Sequence, residues 1–406
     1  MGFVRPVLAM CLAAGCALAA AGADGFYVWQ RQWSEKVGEA VDAELAADTH
    51  DLYVLGGELE FADGAPRWRG PEVPAQVWRR PRVTAVLRLP VPALGDPDGT
   101  AARVVSRACA LGVRRVQLDV DVPESRMGRY AGLVEGVRRR WPASAGALRL
   151  GATFLPCHLD EKDVRRVLSA LDEPVIQLHG IDAPENRAGK WSLMDRRTVF
   201  RALRAARDLD GRFRMALPSY AYVLTFGADG GFRRLYAEGL SDDSDLPSGT
   251  VRELAAPDLD LLHEVFASPL RLPAIWFRLP VRGVDRWCLE RDTLVRLERG
   301  ERPRPSVEFT VRGGGRPGTL DVVACYRHQI PLTGVTAAMD WGAGAEDGEF
   351  FPMNGCRLAD DAVHGRLPDV LHLAPFACGE TFVVGKAITP ADPRTISVRE
   401  IERSAE

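Results

Sequence analysis

The feature that most constrains the fold is a repeated alternation of short apolar runs with longer amphipathic stretches between residues 26 and 300. Most of the apolar runs are followed by a stretch with apolar residues near i, i+3 and i+4, which predicts a helix. The runs themselves predict eight strands, at residues 26–31, 52–58, 83–89, 115–122, 148–155, 175–179, 213–217 and 274–279. Eight strand–helix repeats of this length predict an α/β fold, the (β/α)8 TIM barrel.

A doubly wound open sheet is the alternative α/β fold. It requires a Gly-rich phosphate loop after an early strand. Gly56-Gly57, near the end of the second predicted strand, does not make a GxGxxG motif, so the barrel is preferred.

The pattern changes after Gly300. The segment 301–305, Glu-Arg-Pro-Arg-Pro, predicts a linker, and short extended runs then alternate with Gly, Pro and Asp turns without a helical period. We therefore predict a barrel over residues 24–300 and a small all-β, sandwich-like accessory domain over residues 306–390. The tail from Thr389 onward is expected to be loosely held.

The first residues predict export. Arg5 precedes an apolar stretch, and Ala21-Gly-Ala23 before Asp24 is a small-x-small cleavage pattern, so we predict a signal peptide over residues 1–23. A lipoprotein signal cleaved before Cys16, giving membrane attachment by a lipid anchor, is the alternative, although Leu12 lies one place too far from that cysteine. The expected location is the periplasm, the outer membrane or the extracellular space.

Composition excludes some function classes. A formal net charge of -3 argues against a nucleic-acid partner, which usually needs a basic face. The chain has no CxxC or His-x-His spacing, so it predicts neither a metal site nor a cofactor. Export would allow one disulfide among Cys325, Cys356 and Cys378, which cluster in the last hundred residues.

The fourth predicted strand carries polar residues on one face. Gln117, Asp119 and Asp121 are two residues apart, so their side chains point the same way in a strand. Carboxylates and amides are costly to bury without partners, and they are expected where a strand end opens into a site. The alternative is that these acids only pair with arginines, Asp119 with Arg88 for example, and hold the barrel together.

Further polar and aromatic residues follow the other predicted strand ends. Sites in barrels of this class lie at the carboxyl ends of the strands, and carboxylates with aromatic platforms suit sugars. We predict Asp121, Asp119 and Glu58 as catalytic residues, and as substrate-binding residues Gln30, Arg88, Gln117, His179, Tyr220, Trp276 and Arg278. For His179 the alternative, which is the more common case, is a satisfied interior histidine, and Trp276 could equally belong to the core.

Five segments near strand ends carry a family resemblance: Tyr-Val-Trp-Gln-Arg at 27–31 with Trp33, and residues 117–121, 177–179, 214–220 and 275–280. In this order along the chain they resemble the bacterial domain-of-unknown-function family 3142, over about residues 26–297. The resemblance implies an exported bacterial protein with a glycoside-hydrolase-like barrel, and it implies no known reaction.

A more distant likeness is to the chitinase-like family 18 of glycoside hydrolases. Asp119 and Asp121 match two acids of that family's alternating Asp-x-Asp-x-Glu series, and Trp276 matches its Trp on the eighth strand. Pro123 takes the place of the catalytic Glu, and Glu124 lies one residue out of phase, which turns a strand side chain to the opposite face.

Two functions therefore remain. The first is an exported carbohydrate-active protein, a glycoside hydrolase using Asp/Glu acid chemistry at the carboxyl mouth of the barrel. The second is a non-catalytic glycan-binding or envelope-scaffold protein on a degenerate barrel. Pro123 favours the second function, as does the seventh predicted strand, whose end offers only Ser219 and Tyr220.

Overall fold

A computed structural model of the chain describes residues 24–62, 65–180, 184, 186–187, 192–236, 250–285, 288–302, 307–326, 335–342, 348–354, 356–358, 367–368, 370–372 and 381–403. These residues fall in two compact units. The first lies within residues 1–184, 188–219 and 257–284, and the second within residues 185–187, 220–256 and 285–406.

The first unit contains the strands β1 (Gly25–Val28), β2 (Asp51–Ala62), β3 (Ala65–Arg69), β4 (Val83–Arg88), β5 (Arg115–Asp119), β6 (Arg149–Phe154), β7 (Glu173–Gln177) and β8 (Arg214–Pro218). A three-stranded antiparallel sheet of the second unit interrupts the order with β9 (Tyr222–Phe226), β10 (Phe232–Tyr236) and β11 (Val251–Ala255). The chain then returns to the first unit with β12 (Ala274–Phe277).

The parallel strands of the first unit close into a ring. Their order is β1-β2-β4-β5-β6-β7-β8-β12, and β12 pairs with β1 in parallel to complete it. The strand β3 is antiparallel and extends β2 as a hairpin beyond the ring. This closed barrel of eight parallel strands confirms the predicted α/β fold class.

Helices flank the barrel strands: α1 (Glu35–Ala47), α2 (Ala75–Trp78), α3 (Pro97–Leu111), α4 (Met127–Arg140), α5 (Val164–Ser169), α6 (Arg196–Leu209) and α7 (Leu259–Ala267), with α8 (Arg291–Glu298) in the second unit. Side-chain caps begin several of them. Asp96, Asp195 and Asp258 each accept a backbone N–H of the first turn, which supplies a partner to donors that the helix leaves unsatisfied. Among the described residues, no helix is both long and apolar enough to cross a bilayer.

The barrel interior is a packed apolar core at mid-height. Its buried members alternate along the strands, as the two-residue period requires, and are Tyr27, Trp29, Tyr53, Leu55, Val86, Val175, Ala216 and Ile275, with Phe277 packed against them. The opposite strand faces are buried under the helices. Trp276 belongs to that outer layer, where its ring stacks on Phe266 of α7 with centroids 5.4 Å apart.

The amino ends of the barrel strands carry a buried network of charges. Asp51, Arg115, Arg149, Glu173 and Arg214 are each the first residue of a strand. The guanidinium of Arg214 lies 3.1 Å from Asp51 Oδ2 and also contacts the Tyr53 hydroxyl, which donates to Glu173. Arg149 donates to Glu173 over 2.7 Å, so the carboxylates at this end have cationic partners.

The second unit is otherwise built of β13 (Val307–Gly313), β14 (Thr319–Tyr326), β15 (Val335–Asp340), β16 (Glu349–Pro352), β17 (Arg357–Leu358), β18 (Val370–His372), β19 (Thr381–Ile388) and β20 (Ser397–Arg403). They form two antiparallel four-stranded sheets, β13-β14-β19-β16 and β17-β18-β15-β20. Val322, Val384 and Phe350 of one sheet share a hydrophobic core with Ala337 and Met339 of the other, which confirms the all-β, sandwich-like prediction.

Two other predictions concern this unit. The expectation of a loosely held tail after Thr389 is wrong, because β20 pairs with β15 along its length and Ile396 is buried in the core. The boundaries 24–300 and 306–390 stay predictions. Residues 1–23, with the predicted signal and Cys16, lie outside the described residues, as does Cys378.

Candidate active site

Three charged residues lie side by side at the carboxyl ends of neighbouring strands. Glu58 of β2 is in register with Arg88 of β4, and Arg88 is in register with Asp119, the last residue of β5. Neighbouring strands are about 4.8 Å apart, so the Glu58 and Asp119 backbones are separated by about 10 Å with Arg88 between them. The barrel thus assembles, from three distant segments, a row of alternating charge.

Asp119 is the buried member of this row, with a side chain 8% exposed. Its Oδ1 accepts hydrogen bonds from Thr153 Oγ1 at 3.0 Å and Gln177 Nε2 at 3.3 Å, and its Oδ2 lies 3.9 Å from Arg88. Burial raises the pKa of Asp119 to about 6, and the nearby Asp121 and Glu58 charges add to the increase, while Arg88 and Thr153 oppose it. Asp119 can therefore hold a proton at mildly acidic pH.

Asp121 lies two residues beyond the end of β5, where its side chain is 59% exposed. Its Oδ2 forms an ion pair with Arg88 over 3.2 Å. The loop that follows β5 is held by the fully buried His158, whose Nε2 contacts the Val122 carbonyl oxygen at 2.7 Å. The backbone that presents Asp121 is thus held by the interior.

A cavity of about 260 Å³ opens at this point. Its charged lining residues are Arg31, Glu58, Glu60, Arg88 and Asp121, and the hairpin β2–β3 supplies the two glutamates. Arg31 pairs with Glu58 over 3.3 Å, as Arg88 pairs with Asp121. Two carboxylates of the predicted catalytic set therefore line one cavity, each in contact with an arginine.

The structure places other predicted residues in the interior. Gln117 is fully buried two residues below Asp119 on the same strand face. Gln30 donates its side-chain amide to the Leu279 carbonyl over 3.0 Å, and Arg278 is buried. Trp276 faces the helix layer, and the inward-facing aromatic of β12 is Phe277.

His179 lies just beyond the end of β7, where its ring stacks on Phe277 with centroids 5.3 Å apart. Burial lowers the pKa of His179 to about 4, which keeps the imidazole neutral at physiological pH. Tyr220 belongs to the second unit, packs edge-on against Tyr222 and pairs by its backbone with Cys288. Its place in the site stays a prediction.

The sequence analysis did not identify two hydrogen-bond partners of Asp119, nor the contact between Trp29 and Arg88. Thr153 and Gln177 supply the hydrogen bonds to Asp119, and Trp29 lies under the Arg88 guanidinium with 5.9 Å to its ring centroid. Thr153 and Gln177 occupy inward positions near the ends of β6 and β7, the strands that follow β5 around the ring. Knowing which residues of β6 and β7 face inward would identify Thr153 and Gln177, since side chains alternate between the two faces of a strand.

Residues 98–282 match the family model described as Domain of unknown function (DUF3142). This match confirms the resemblance predicted from the strand-end segments. It includes the ends of β5, β6, β7, β8 and β12, and excludes Glu58 and Arg88. The comparison with curated proteins gives no match.

Solved structures with a similar fold include a spore cortex-lytic enzyme, SleL, from Bacillus megaterium QM B1551, at 12% identity and a TM-score of 0.50. That comparison covers 70% of this chain and 75% of the enzyme. A chitinase from Chromobacterium violaceum ATCC 12472 is 12% identical with a TM-score of 0.49, covering 68% of this chain and 98% of the chitinase. At such identity the likeness is one of fold, a glycoside-hydrolase-like barrel.

Proposed function

We propose that the protein is an exported carbohydrate-active enzyme that hydrolyses a glycosidic bond at the carboxyl mouth of the barrel. The observation that carries the proposal is the arrangement of three carboxylates near Arg88, with Asp119 buried and its pKa raised to about 6, and with Asp121 and Glu58 lining one cavity. Perturbed carboxyl groups in a cleft are typical of acid–base sites. The fold, shared with a spore cortex-lytic enzyme, supports the proposal.

In this proposal Asp121 contacts the glycosidic oxygen and delivers the proton, and the buried Asp119 lies behind it on the same strand. The ion pair between Arg88 and Asp121 has to open when substrate enters, because that pair occupies the carboxylate. Glu58 is the second carboxylate. Inverting enzymes separate their carboxyl groups by roughly 6.5–9.5 Å and retaining enzymes by about 5–5.5 Å, so the stereochemistry of the product would report the separation of Glu58 and Asp121 in the substrate complex.

The remaining predicted residues have supporting roles in the proposal. His179 and Phe277 form a partly buried stack beside the mouth and would shape its floor. A signal peptide over residues 1–23, or a lipoprotein signal cleaved before Cys16, would place the protein in the periplasm, the outer membrane or the extracellular space. No step requires a cofactor.

A hydrolysis and glycan-binding screen on the mature protein tests the proposal, with Asp121→Asn as the variant. We expect turnover to fall about 100-fold or more, the usual contribution of a positioned acid, with glycan binding and the unfolding temperature retained. Asp98→Asn is the matched control, since Asp98 is a surface aspartate paired with Arg139 and is not in the cavity. Equal activity in wild type and Asp121→Asn would exclude Asp121 from the chemistry.

A non-catalytic glycan-binding function is the second candidate. It is favoured by one observation, that Asp121 and Glu58 are each in an ion pair with an arginine. In that case wild type would bind a glycan in the screen without cleaving it, and Asp121→Asn would change affinity alone.

A further inference from the structure

A second charged surface lies on the outer face of α6. A groove of about 740 Å³ is lined there by Asp195, Arg196, Arg197, Phe200, Arg201, Arg204, Ala205 and Asp208, which we call the α6 groove. Arg197, Arg201 and Arg204 are spaced by four and three residues, so they occupy one stripe of the helix. None of the α6 groove residues lines the cavity at the barrel mouth.

The arginines of the neighbouring helices are engaged by carboxylates. Arg138 of α4 pairs with Asp172 over 2.7 Å, Arg139 pairs with Asp98 over 3.3 Å, and Arg166 of α5 pairs with Glu135 through two bonds of 2.7 Å. These three arginines of α4 and α5 therefore have carboxylate partners.

In the α6 groove the pattern differs. Arg196 pairs with Glu264 over 3.1 Å, but Arg197, Arg201 and Arg204 form no ion pair within the part of the chain that the structure describes. The groove also contains two aspartates, Asp195, whose pKa the Arg197 charge helps to lower, and Asp208, so its four arginines exceed its acids by two. Like charges three and four residues apart destabilise a helix by about 0.2–0.5 kcal/mol per pair. A bound anion would remove that repulsion, so the groove is electrostatically suited to a ligand with several negative charges.

The form of the groove favours a chain-like ligand. The stripe from Arg197 to Arg204 spans about 10 Å along the helix axis, at 1.5 Å per residue. Phe200 is half-buried in the groove, and the Arg196 guanidinium lies 5.9 Å from its ring centroid. Aromatic rings stack on the C–H faces of sugars, and guanidinium groups bind carboxylates through paired hydrogen bonds.

Two other anionic partners fit less well. Helices that bind membranes insert an apolar face, but the apolar residues Val199, Ala202, Leu203 and Ala206 of α6 are buried in the protein. Nucleic-acid-binding domains are usually strongly basic, whereas this chain has an isoelectric point near 6.2.

We propose that the α6 groove binds an acidic polysaccharide, with its carboxylates on Arg197, Arg201 and Arg204 and a sugar face on Phe200. This site is additional to the barrel mouth and does not require that the mouth be catalytic. It would hold a polymer against the protein, as an accessory binding site does.

Binding of polygalacturonate to the full-length mature protein tests this proposal, with dextran as the neutral polymer. The variant is Arg197→Gln/Arg201→Gln/Arg204→Gln. The matched control is Arg103→Gln/Arg139→Gln/Arg166→Gln, which removes the same charge from α3, α4 and α5, at arginines that have carboxylate partners. Thermal unfolding of both variants establishes that they are folded.

We expect wild type to bind polygalacturonate and not dextran. Affinity should fall about tenfold as NaCl rises from about 50 to about 300 mM, since the Debye length shortens from roughly 14 to roughly 6 Å. The α6 variant should lose at least about tenfold in affinity, because each lost guanidinium removes a charge-assisted pair, while the control keeps it within about twofold.

Three results would overturn the proposal. One is equal weakening in both triple variants, which would indicate only general electrostatic attraction. The second is undiminished binding by the α6 variant. The third is tighter binding of wild type to phosphatidylglycerol vesicles or to a short duplex DNA than to polygalacturonate, which would assign the groove to a membrane or a nucleic acid.

Discussion

The buried charged residues at the two ends of the barrel differ in how closely they are paired. At the amino ends, Arg214 is buried with a side chain 4% exposed, and it contacts Asp51, Tyr53 and Glu173. At the carboxyl ends, Asp119 is equally enclosed, but its nearest cation, Arg88, is 3.9 Å away and 41% exposed. One end has a closed network, and the other has a buried acid beside an open cavity.

This difference in pairing shifts the pKa values of the two buried carboxyl groups, Glu173 and Asp119, in opposite directions. Burial alone would raise the pKa of Glu173, but the charges of Arg214 and Arg149 and the Tyr53 hydrogen bond lower it overall. Burial raises the pKa of Asp119 to about 6, and its partners do not reverse that increase. The surroundings of Asp119 therefore disfavour its ionised form, whereas the partners of Glu173 favour the ionised form and stabilise the fold.

The largest expected effect is at the amino end. Arg214→Met should lower the free energy of unfolding by about 3–5 kcal/mol, because Asp51 and Glu173 would lose a buried cationic partner. Chemical denaturation measures it. A loss below about 1 kcal/mol would mean that the network is not a stabilising feature.

Glu173→Gln should lower the free energy of unfolding by about 2 kcal/mol at pH 7, because charge-assisted hydrogen bonds to Arg149 and Arg214 weaken. The folded pKa of Glu173 lies below its ordinary 4.5, so its stabilising contribution exists above that pH and is lost as pH falls through the folded pKa. Denaturation at several pH values should show the difference from wild type shrinking below about pH 4.5. A difference independent of pH would contradict the charged role of Glu173.

Asp119→Asn, the matched change at the other end, should act in the opposite direction. The folded pKa of Asp119 is raised from 3.8 to about 6, so the penalty on its ionised form is absent below pH 3.8 and complete above about pH 6. The variant should therefore be more stable than wild type by about 1–3 kcal/mol at pH 7, and equal to it near pH 4. A variant that is less stable at pH 7 would show that Asp119 is a structural anion like Glu173.

The smallest expected effect is from Arg88→Met. Its ion pairs lie at a solvent-exposed mouth, so the free energy of unfolding should change by less than about 1 kcal/mol. Removal of the guanidinium should raise the pKa of Asp119 further, which a carboxyl-carbon NMR titration would detect. A loss as large as that of Arg214→Met would mean that both barrel ends are structural networks.

Individual residues of the candidate site differ in how well the sequence predicts their positions. Period-two alternation in β5 predicts that Asp119 faces inward, where it accepts hydrogen bonds from Thr153 and Gln177. The alternative, that these acids pair with arginine, also holds, because Arg88 lies 3.9 Å from Asp119 and 3.2 Å from Asp121. The apolar pattern of β12 does not show whether Trp276 points into the barrel or toward the helices. That orientation depends on how β12 pairs with β1 and β8. The residues around Thr153 and Gln177 in the sequence do not indicate that their side chains bind Asp119.

The sequence by itself determined the eight barrel strands, the all-β character of the last hundred residues and the acids of the fourth strand, because the spacing of apolar side chains sets secondary structure locally. Only the tertiary structure decided which acids share a cavity, which buried carboxyl group has a raised pKa and which arginines have carboxylate partners. Burial and charge pairing depend on residues far apart in the chain, and closure of the barrel alone brings Glu58, Arg88 and Asp119 into one row.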